Sequence, residues 1–236
     1  DTGNWPAWID VGRVYVPFGA YNSHFVSDPL TLELGETRET ALVAGWGTDA
    51  VQVQAGCFNG EVDEDTADED DRLDGAVAAL TVTPFDFAEG GVYYITDIGE
   101  SWGMRDVTKG YTSYSEAGGV GGYVSIACGR FVLDAEAMTA LDDVAFSVVS
   151  EEEETETRIQ PLAWNCELAF RPDDRWEIAG KIEGSDEYPD KPELQYGAAV
   201  SRALVENAAV KLEYLHGIFD EADDRDAVTV QLALEF

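Results

Sequence analysis

A chain of 236 residues with 48 Asp and Glu against 14 Lys and Arg has a formal net charge of -34 and a pI near 4.1. Such a surface cannot neutralise phosphates, so a free-standing nucleic-acid binder is excluded and adhesion to anionic lipid by charge alone is disfavoured. No run of 18 apolar residues occurs, which excludes a helical span but not a membrane, since a spanning strand needs only about 9 to 11 alternating residues.

The spacing predicts twelve strands, at about 8–18, 39–47, 50–58, 75–84, 90–98, 119–131, 142–150, 159–170, 175–184, 194–204, 208–218 and 227–236. Alternation is clearest toward the C-terminus. Trp164, Cys166, Leu168 and Phe170 oppose Asn165, Glu167 and Arg171, while Trp176, Ile178 and Ile182 oppose Glu177, Lys181 and Glu183. Val228, Val230, Leu232 and Leu234 oppose Thr229, Gln231 and Ala233. Connections after odd-numbered strands are long: 19–38, 59–74, 99–118, 151–158, 185–193 and 219–226. Those after even-numbered strands are mostly short, with 132–141 as the exception. Acids concentrate in the long ones, nine of them between Glu61 and Asp74 and five between Asp220 and Asp226. Such runs repel themselves and read as solvated loops.

Long loops at one end and tight turns at the other describe an all-β, antiparallel up-and-down transmembrane barrel of about twelve strands. The acidic loops would be extracellular and the short turns periplasmic, with residues 1–236 forming one barrel domain. Charged residues opposite the apolar face suit a wet lumen. Aromatics near strand ends (Trp5, Trp8, Phe18, Trp102, Trp164, Trp176 and Phe236) suit a lipid interface. The alternative is a soluble or non-transporting β domain whose acidic loops serve structure, adhesion or salt tolerance.

Gly12 to Gly19 (GRVYVPFG), followed by Tyr21 and the stretch HFVSDPLTLELGETRET, resembles the strand and loop of the LbtU-type siderophore porins. More loosely, the R-x-x-x-P-F-G pattern is similar to phosphate-selective porins. The likeness is sharp over residues 9 to 60 and generic elsewhere. It implies a Gram-negative outer-membrane pore that admits iron–siderophore complexes without a plug domain. Members of that family carry more sequence before this strand, so this chain reads as a trimmed or divergent member. Phe236 resembles the carboxy-terminal signal through which the outer-membrane assembly machinery takes its substrates.

Alternation nominates pore-lining residues: Arg13 and Tyr15 on the first strand, then Gln52, Gln54, Glu167, Arg171, Glu177, Lys181, Glu183, Lys211, Glu213, Gln231 and Glu235. Residues 20 to 35 are long enough to fold inward as a constriction, which would bring His24, Asp28, Glu33 and Glu36 toward the pore. The bland reading is that Pro17-Phe18-Gly19 simply ends a strand at the rim. An acidic mouth concentrates cations and excludes anions over about 8 Å at physiological salt, so a cation-preferring passage for small polar or metal-complexed solutes is expected. Asp63, Asp65, Asp68 and Asp70 vaguely resemble a calcium loop but lack its glycine and spaced terminal Glu, so only loosely bound Ca²⁺ or Mg²⁺ is expected. No other cofactor is called for. His24 and His216 are the only histidines and lie in different segments; the strands beside His216 offer it no nucleophile on its face, a lone His24 is no metal site, and an enzyme is not expected. Cys57, Cys128 and Cys166 read as small apolar strand residues. Outer-membrane lipid and a small solute are the expected partners, and a homo-oligomer is compatible with the sequence.

Overall fold

Fifteen strands follow from these patterns in the computed structural model, which describes residues 6–60, 73–108, 113–149, 154–220 and 222–234. They are β1 (Ala7–Tyr15), β2 (Arg38–Gly47), β3 (Val51–Asn59), β4 (Gly75–Phe85), β5 (Ala88–Ile95), β6 (Ser113–Ser115), β7 (Gly119–Cys128) and β8 (Phe131–Ala140). Then come β9 (Val144–Val149), β10 (Glu154–Ile159), β11 (Leu162–Asp173), β12 (Trp176–Asp186), β13 (Leu194–Val205), β14 (Ala208–Ile218) and β15 (Arg225–Leu234). Twelve of them form a single antiparallel sheet in the order β1-β2-β3-β4-β5-β7-β8-β11-β12-β13-β14-β15. β6, β9 and β10 form a separate three-stranded sheet. Two short helices, α1 (Leu30–Gly35) and α2 (Trp102–Thr108), lie in long connections. β1 and β15 end the ladder, and no pairing joins them among the described residues.

The sequence expectation fails in three places: β6 and β10 are strands where the connections 99–118 and 151–158 are expected, and the stretch 119–150 is divided differently. The strand expected at 119–131 is two strands, β7 and β8, joined at Gly129-Arg130, where Gly129 takes φ +61. The segment expected as a connection, 132–141, is therefore mostly the seventh strand of the sheet, and the strand expected at 142–150 is β9, outside it. The cause is local. β8 turns Asp134, Glu136 and Met138 to one face and, beyond Leu133, only the small Ala135 and Ala137, with Thr139, to the other, so its apolar contrast is weak.

Sidedness is uniform across the sheet. Leu42, Trp46, Val53, Leu80, Val92, Leu168, Ile178, Ile182 and Leu212 are exposed on one face, and the alternate residues turn to the other. The inner face is not simply wet. Toward the long loops it is dry: Val16, Phe18, Leu34, Phe58, Val77, Ile95, Ile98, Met104 and Met138 pack into one buried cluster. Five of these come from connections that turn inward, Val16, Phe18 and Leu34 from residues 16–37 and Ile98 and Met104 from the connection after β5. Phe18, expected at a lipid interface, is thus 1% exposed inside the sheet's concavity. Trp8 is likewise inward, its indole so close over Gly45 that a side chain there would collide with it. Trp46, Trp164 and Trp176 stay outward; Trp5 and Phe236 lie outside the described residues.

Candidate functional site: a loop latched into the concavity

The loop of residues 16–37 begins with the turn that the sequence singled out. Gly19 has φ +116 and Tyr21 φ 54, and any Cβ at Gly19 would fall within the Tyr21 ring. Pro17-Phe18-Gly19 therefore does more than end a strand: it sends the chain inward, with Tyr21 donating from its hydroxyl to the Phe18 carbonyl.

Once inside, the irregular backbone needs acceptors for its N–H groups. The wall supplies carboxylates. Glu136 on β8 accepts from the amides of Ala20 (2.7 Å) and Tyr21 (3.0 Å) and from the hydroxyls of Thr31 (2.9 Å) and Tyr93 (2.5 Å). On β11, Glu167 accepts from the His24 amide at 2.6 Å and the Ser23 hydroxyl at 2.8 Å. On β14, Glu213 takes the amides of Val26 (2.5 Å) and Ser27 (3.1 Å) and the Ser27 hydroxyl. Glu183 on β12 takes the Leu30 amide at 3.0 Å and the Gln195 amide group at 2.6 Å. A carboxylate offers about four acceptor sites and no donor, so each can serve several backbone amides by charge-assisted bonds.

Cations balance part of this charge. Lys181 on β12, 4% exposed, stands 3.3 Å from Glu167 and 3.4 Å from Glu183. Lys211 donates to the carbonyl of His24 at 2.8 Å. The His24 ring lies between two acids, Nε2 at 2.9 Å from Asp134 and Nδ1 at 3.2 Å from Glu177. The hydrogen bond to Asp134 raises the His24 pKa above its usual value, with burial opposing it, and Glu177 adds to the rise. Glu177 also holds Arg171 at 2.7 Å.

At the loop's tip, Phe25 is buried in a socket of small residues. Ala169, Ala179 and Ala199 stand side by side on β11, β12 and β13, and Lys181 Nζ sits 4.9 Å from the ring centroid. Three alanines abreast leave the depth an aromatic ring needs, and the cation over its face adds attraction.

A second segment, 96–118, packs beside it. Arg105 on α2 bridges Glu39 and Glu100, each at 2.5 Å. Asp97 accepts from the Tyr114 hydroxyl (2.5 Å), the Gly99 amide (2.9 Å) and the Ala117 amide (3.4 Å). Burial nevertheless pushes the Asp97 carboxyl up to about 7. Tyr188 and Lys191, from the connection after β12, fasten Glu33 of α1 through its carbonyl and its carboxylate.

The nominated residues divide accordingly. Glu167, Lys181, Glu183 and Glu213 point inward and are buried under the loop, while Glu177 and Lys211 are half-buried and bonded to it. Arg171 remains exposed at the short-turn end. Gln52 and Gln54, with Asn22, Thr81, Glu89 and Tyr123, border an inner cavity of about 370 Å³. Gln231 faces inward opposite Lys211. Arg13 does not line the interior: β1 turns Trp8 and Val14 inward, so Arg13, opposite Thr40, is on the outward face, and Tyr15, opposite Arg38, shares that alternation yet borders the same cavity as Gln52 and Gln54, with Arg38 over its ring. The signal that misled is the charge of Arg13, which reads as lumenal by analogy with the later strands. Of the loop residues, His24 is latched inside, Glu33 is tied to Lys191, Glu36 is half-buried and Asp28 is exposed. Glu235, Asp63, Asp65, Asp68 and Asp70 lie outside the described residues. Asp134, Glu136 and Phe25 were not nominated, although they are central to the latch. No group of three metal-ligating side chains occurs among the described residues.

Architecture and inward loop together define a porin-type antiparallel β-sheet. The known proteins that share it are distant in sequence. Over 95% of the chain it superposes on the outer membrane channel DcaP of Acinetobacter baumannii with TM-score 0.66 and 11% identity, spanning 70% of that channel. A second porin structure matches over 96% of the chain with TM-score 0.56 and 12% identity, 72% of it covered. Among curated proteins, a UPF0422 protein of Coxiella burnetii is 27% identical over 143 residues, 58% of this chain and 31% of that protein. The UPF0422 protein lpg2959 of Legionella pneumophila is 40% identical over 45 residues, 19% of this chain and 8% of that protein. The matched part thus spans less than a third of either curated relative. No family model matches the sequence.

Proposed function

We propose that the chain forms the wall of a Gram-negative outer-membrane pore, narrowed by residues 16–37, that passes small polar solutes by diffusion and prefers cations. In lipid the edges of β1 and β15 must find strand partners, because no water is there to satisfy them, so the sheet works as a closed barrel. The observation that carries this reading is the inward loop, fixed to the wall by Glu136, Glu167, Glu183 and Glu213 rather than lying at the rim. Cation preference rests on the acidic loops, since the lumenal acids are engaged by the latch. Metal-complexed solutes, up to the iron–siderophore complexes implied by the resemblance, are larger than the cavities beside the loop and need it to swing out. Loose Ca²⁺ or Mg²⁺ at the acidic loops, insertion through Phe236 and a homo-oligomeric pore belong to the same reading.

Planar-bilayer recording tests it: a cation-selective conductance is expected, and deleting residues 20–28 should enlarge it. A silent or anion-selective trace overturns the reading. One observation favours the alternative of a non-transporting barrel: the dry cluster around Phe18, Leu34, Met104 and Met138 fills the long-loop end. That version predicts silence before and after the deletion.

A further inference from the structure

The outward face of β11–β14 carries a feature that the pore does not use. Gly180 and Ala198 are register partners on β12 and β13, flanked in the same row by Leu168 and Tyr214. A Cβ at Gly180 would meet nothing within 4 Å. Where the neighbouring rows carry Ile178, Ile182, Val200 and Tyr196, this row carries two residues with almost no side chain. The result is an outward groove of about 570 Å³ walled by Leu168, Ile182, Tyr196 and Tyr214.

Along β13, four residues from Ala198, Arg202 faces the same way. That is about 13 Å along the strand and roughly 10 Å along the membrane normal for a strand tilted by about 40°, less than half of a hydrocarbon core about 30 Å thick. Arg202 lies at the short-turn end, its guanidinium 4.9 Å from the Trp176 ring centroid. Among the described residues it forms no ion pair, whereas Arg105, Arg158, Arg171, Lys181 and Lys191 all reach carboxylates. In a chain with 48 acids, an exposed arginine left to an aromatic ring is suited to an anion from outside the protein.

We propose that this face binds one phospholipid of the periplasmic leaflet, its phosphate on Arg202 and an acyl chain in the Gly180/Ala198 groove. The proposal rests on the membrane reading above. A second copy of the chain fits less well. The outward acids of β11–β14 are Asp186, at the long-loop end, and Asp173, whose carboxylate already accepts from the Arg175 and Trp176 amides, so the same face turned on itself would bring Arg202 to no free partner at its own depth.

Native mass spectrometry of the full chain, released from detergent micelles containing palmitoyl-oleoyl phosphatidylglycerol, tests the site. Wild type should retain one lipid. Arg202→Gln and the groove-filling pair Gly180→Leu/Ala198→Leu should each lower retention by roughly tenfold, as expected for losing a charge-assisted contact or the groove itself. Because both changes lie on the outer face, conductance should match wild type in each. Equal retention in all three proteins overturns the proposal and leaves the pore intact. A dimer in sedimentation that Gly180→Leu/Ala198→Leu dissociates overturns it in favour of a second copy. Failure of wild type to enter phosphatidylglycerol vesicles at all removes the membrane reading and the lipid site with it.

Discussion

Residues 16–37 and the described residues 96–108 and 113–118 both turn into the concavity from its long-loop end, but different forces hold them. The first is fastened mainly through charge: backbone amides on Glu136, Glu167, Glu183 and Glu213, and His24 between Asp134 and Glu177. The second is fastened mainly through packing, with Ile98 and Met104 at 0% exposure among Phe18, Ile95 and Met138. Charge latches are strong only while every partner is present, and they respond to protonation. Apolar packing has no such trigger, and the second segment's response to protonation comes from the buried Asp97. The difference assigns the movable part to residues 16–37 and the fixed seat to residues 96–118.

The sharpest way to break this contrast is to remove the buried cation. Lys181→Met keeps most of the side-chain volume but leaves Glu167 and Glu183 buried without a counter-charge, at an expected loss of about 3–5 kcal/mol. Urea unfolding in detergent should show that loss, and bilayer recordings of the surviving protein should show longer open times as the loop loosens. A change under about 1 kcal/mol would mean that the acids are relieved by water or by protonation, and the charge latch would not be what holds the loop.

Met104→Ala probes the other side. Emptying that buried site should cost about 2–5 kcal/mol, since Met104 sits at 0% exposure in the cluster. Conductance at constant folded fraction should not change. If Met104→Ala opened the channel as Lys181→Met does, the two segments would be one unit and the contrast would fail.

Acid–base behaviour separates the segments further. Asp97 is held neutral by burial up to about 7, far above an unfolded carboxyl near 3.8. A raised acid favours the folded state at low pH, so the anchorage of 96–118 should be firmest below about pH 4 and weaken up to about pH 7, then level off. Amide exchange over residues 97–108 reports this directly, and Asp97→Asn should flatten the profile.

Much of the sheet was legible in the sequence because apolar alternation on its outward face is a period-2 signal. β12, β13 and β14 were readable to within two residues, β11 to within three, and the asymmetry of loops and turns was readable too. β8 was not, because its inward Asp134 and Glu136 leave only Ala135 and Ala137 as outward apolar residues between Leu133 and Thr139. Those same residues explain the partial view of the site. Pro17-Phe18-Gly19 and the loop's length signalled inward folding, but its fastening is written in single acids on four different strands, and their registry is a tertiary property. A Glu on an inward strand position looks identical whether it faces a solute or an amide of residue 24. Arg13 shows the converse error: a charge was read as lumenal, although β1 ends the ladder and turns it outward.

The smallest expected effect is also the most specific to residues 16–37. The hydrogen bond to Asp134 raises the His24 pKa, so the ring keeps its charge to higher pH than a free imidazole, and its contribution is fully present below about 6.5 and lost as pH rises through the folded value. Losing one imidazolium between two carboxylates removes about 1–2 kcal/mol of latch stability. Single-channel recordings from pH 6 to pH 9 should therefore show rising open probability, with the step abolished in His24→Gln, whose side chain can still donate one hydrogen bond but cannot titrate. Because Asp97 gives up its proton at about 7, inside the recorded pH range, the double variant Asp97→Asn/His24→Gln separates its contribution from that of His24. If the alkaline step survives His24→Gln and vanishes only with Asp97→Asn, the movable element is the packed segment rather than the charged one.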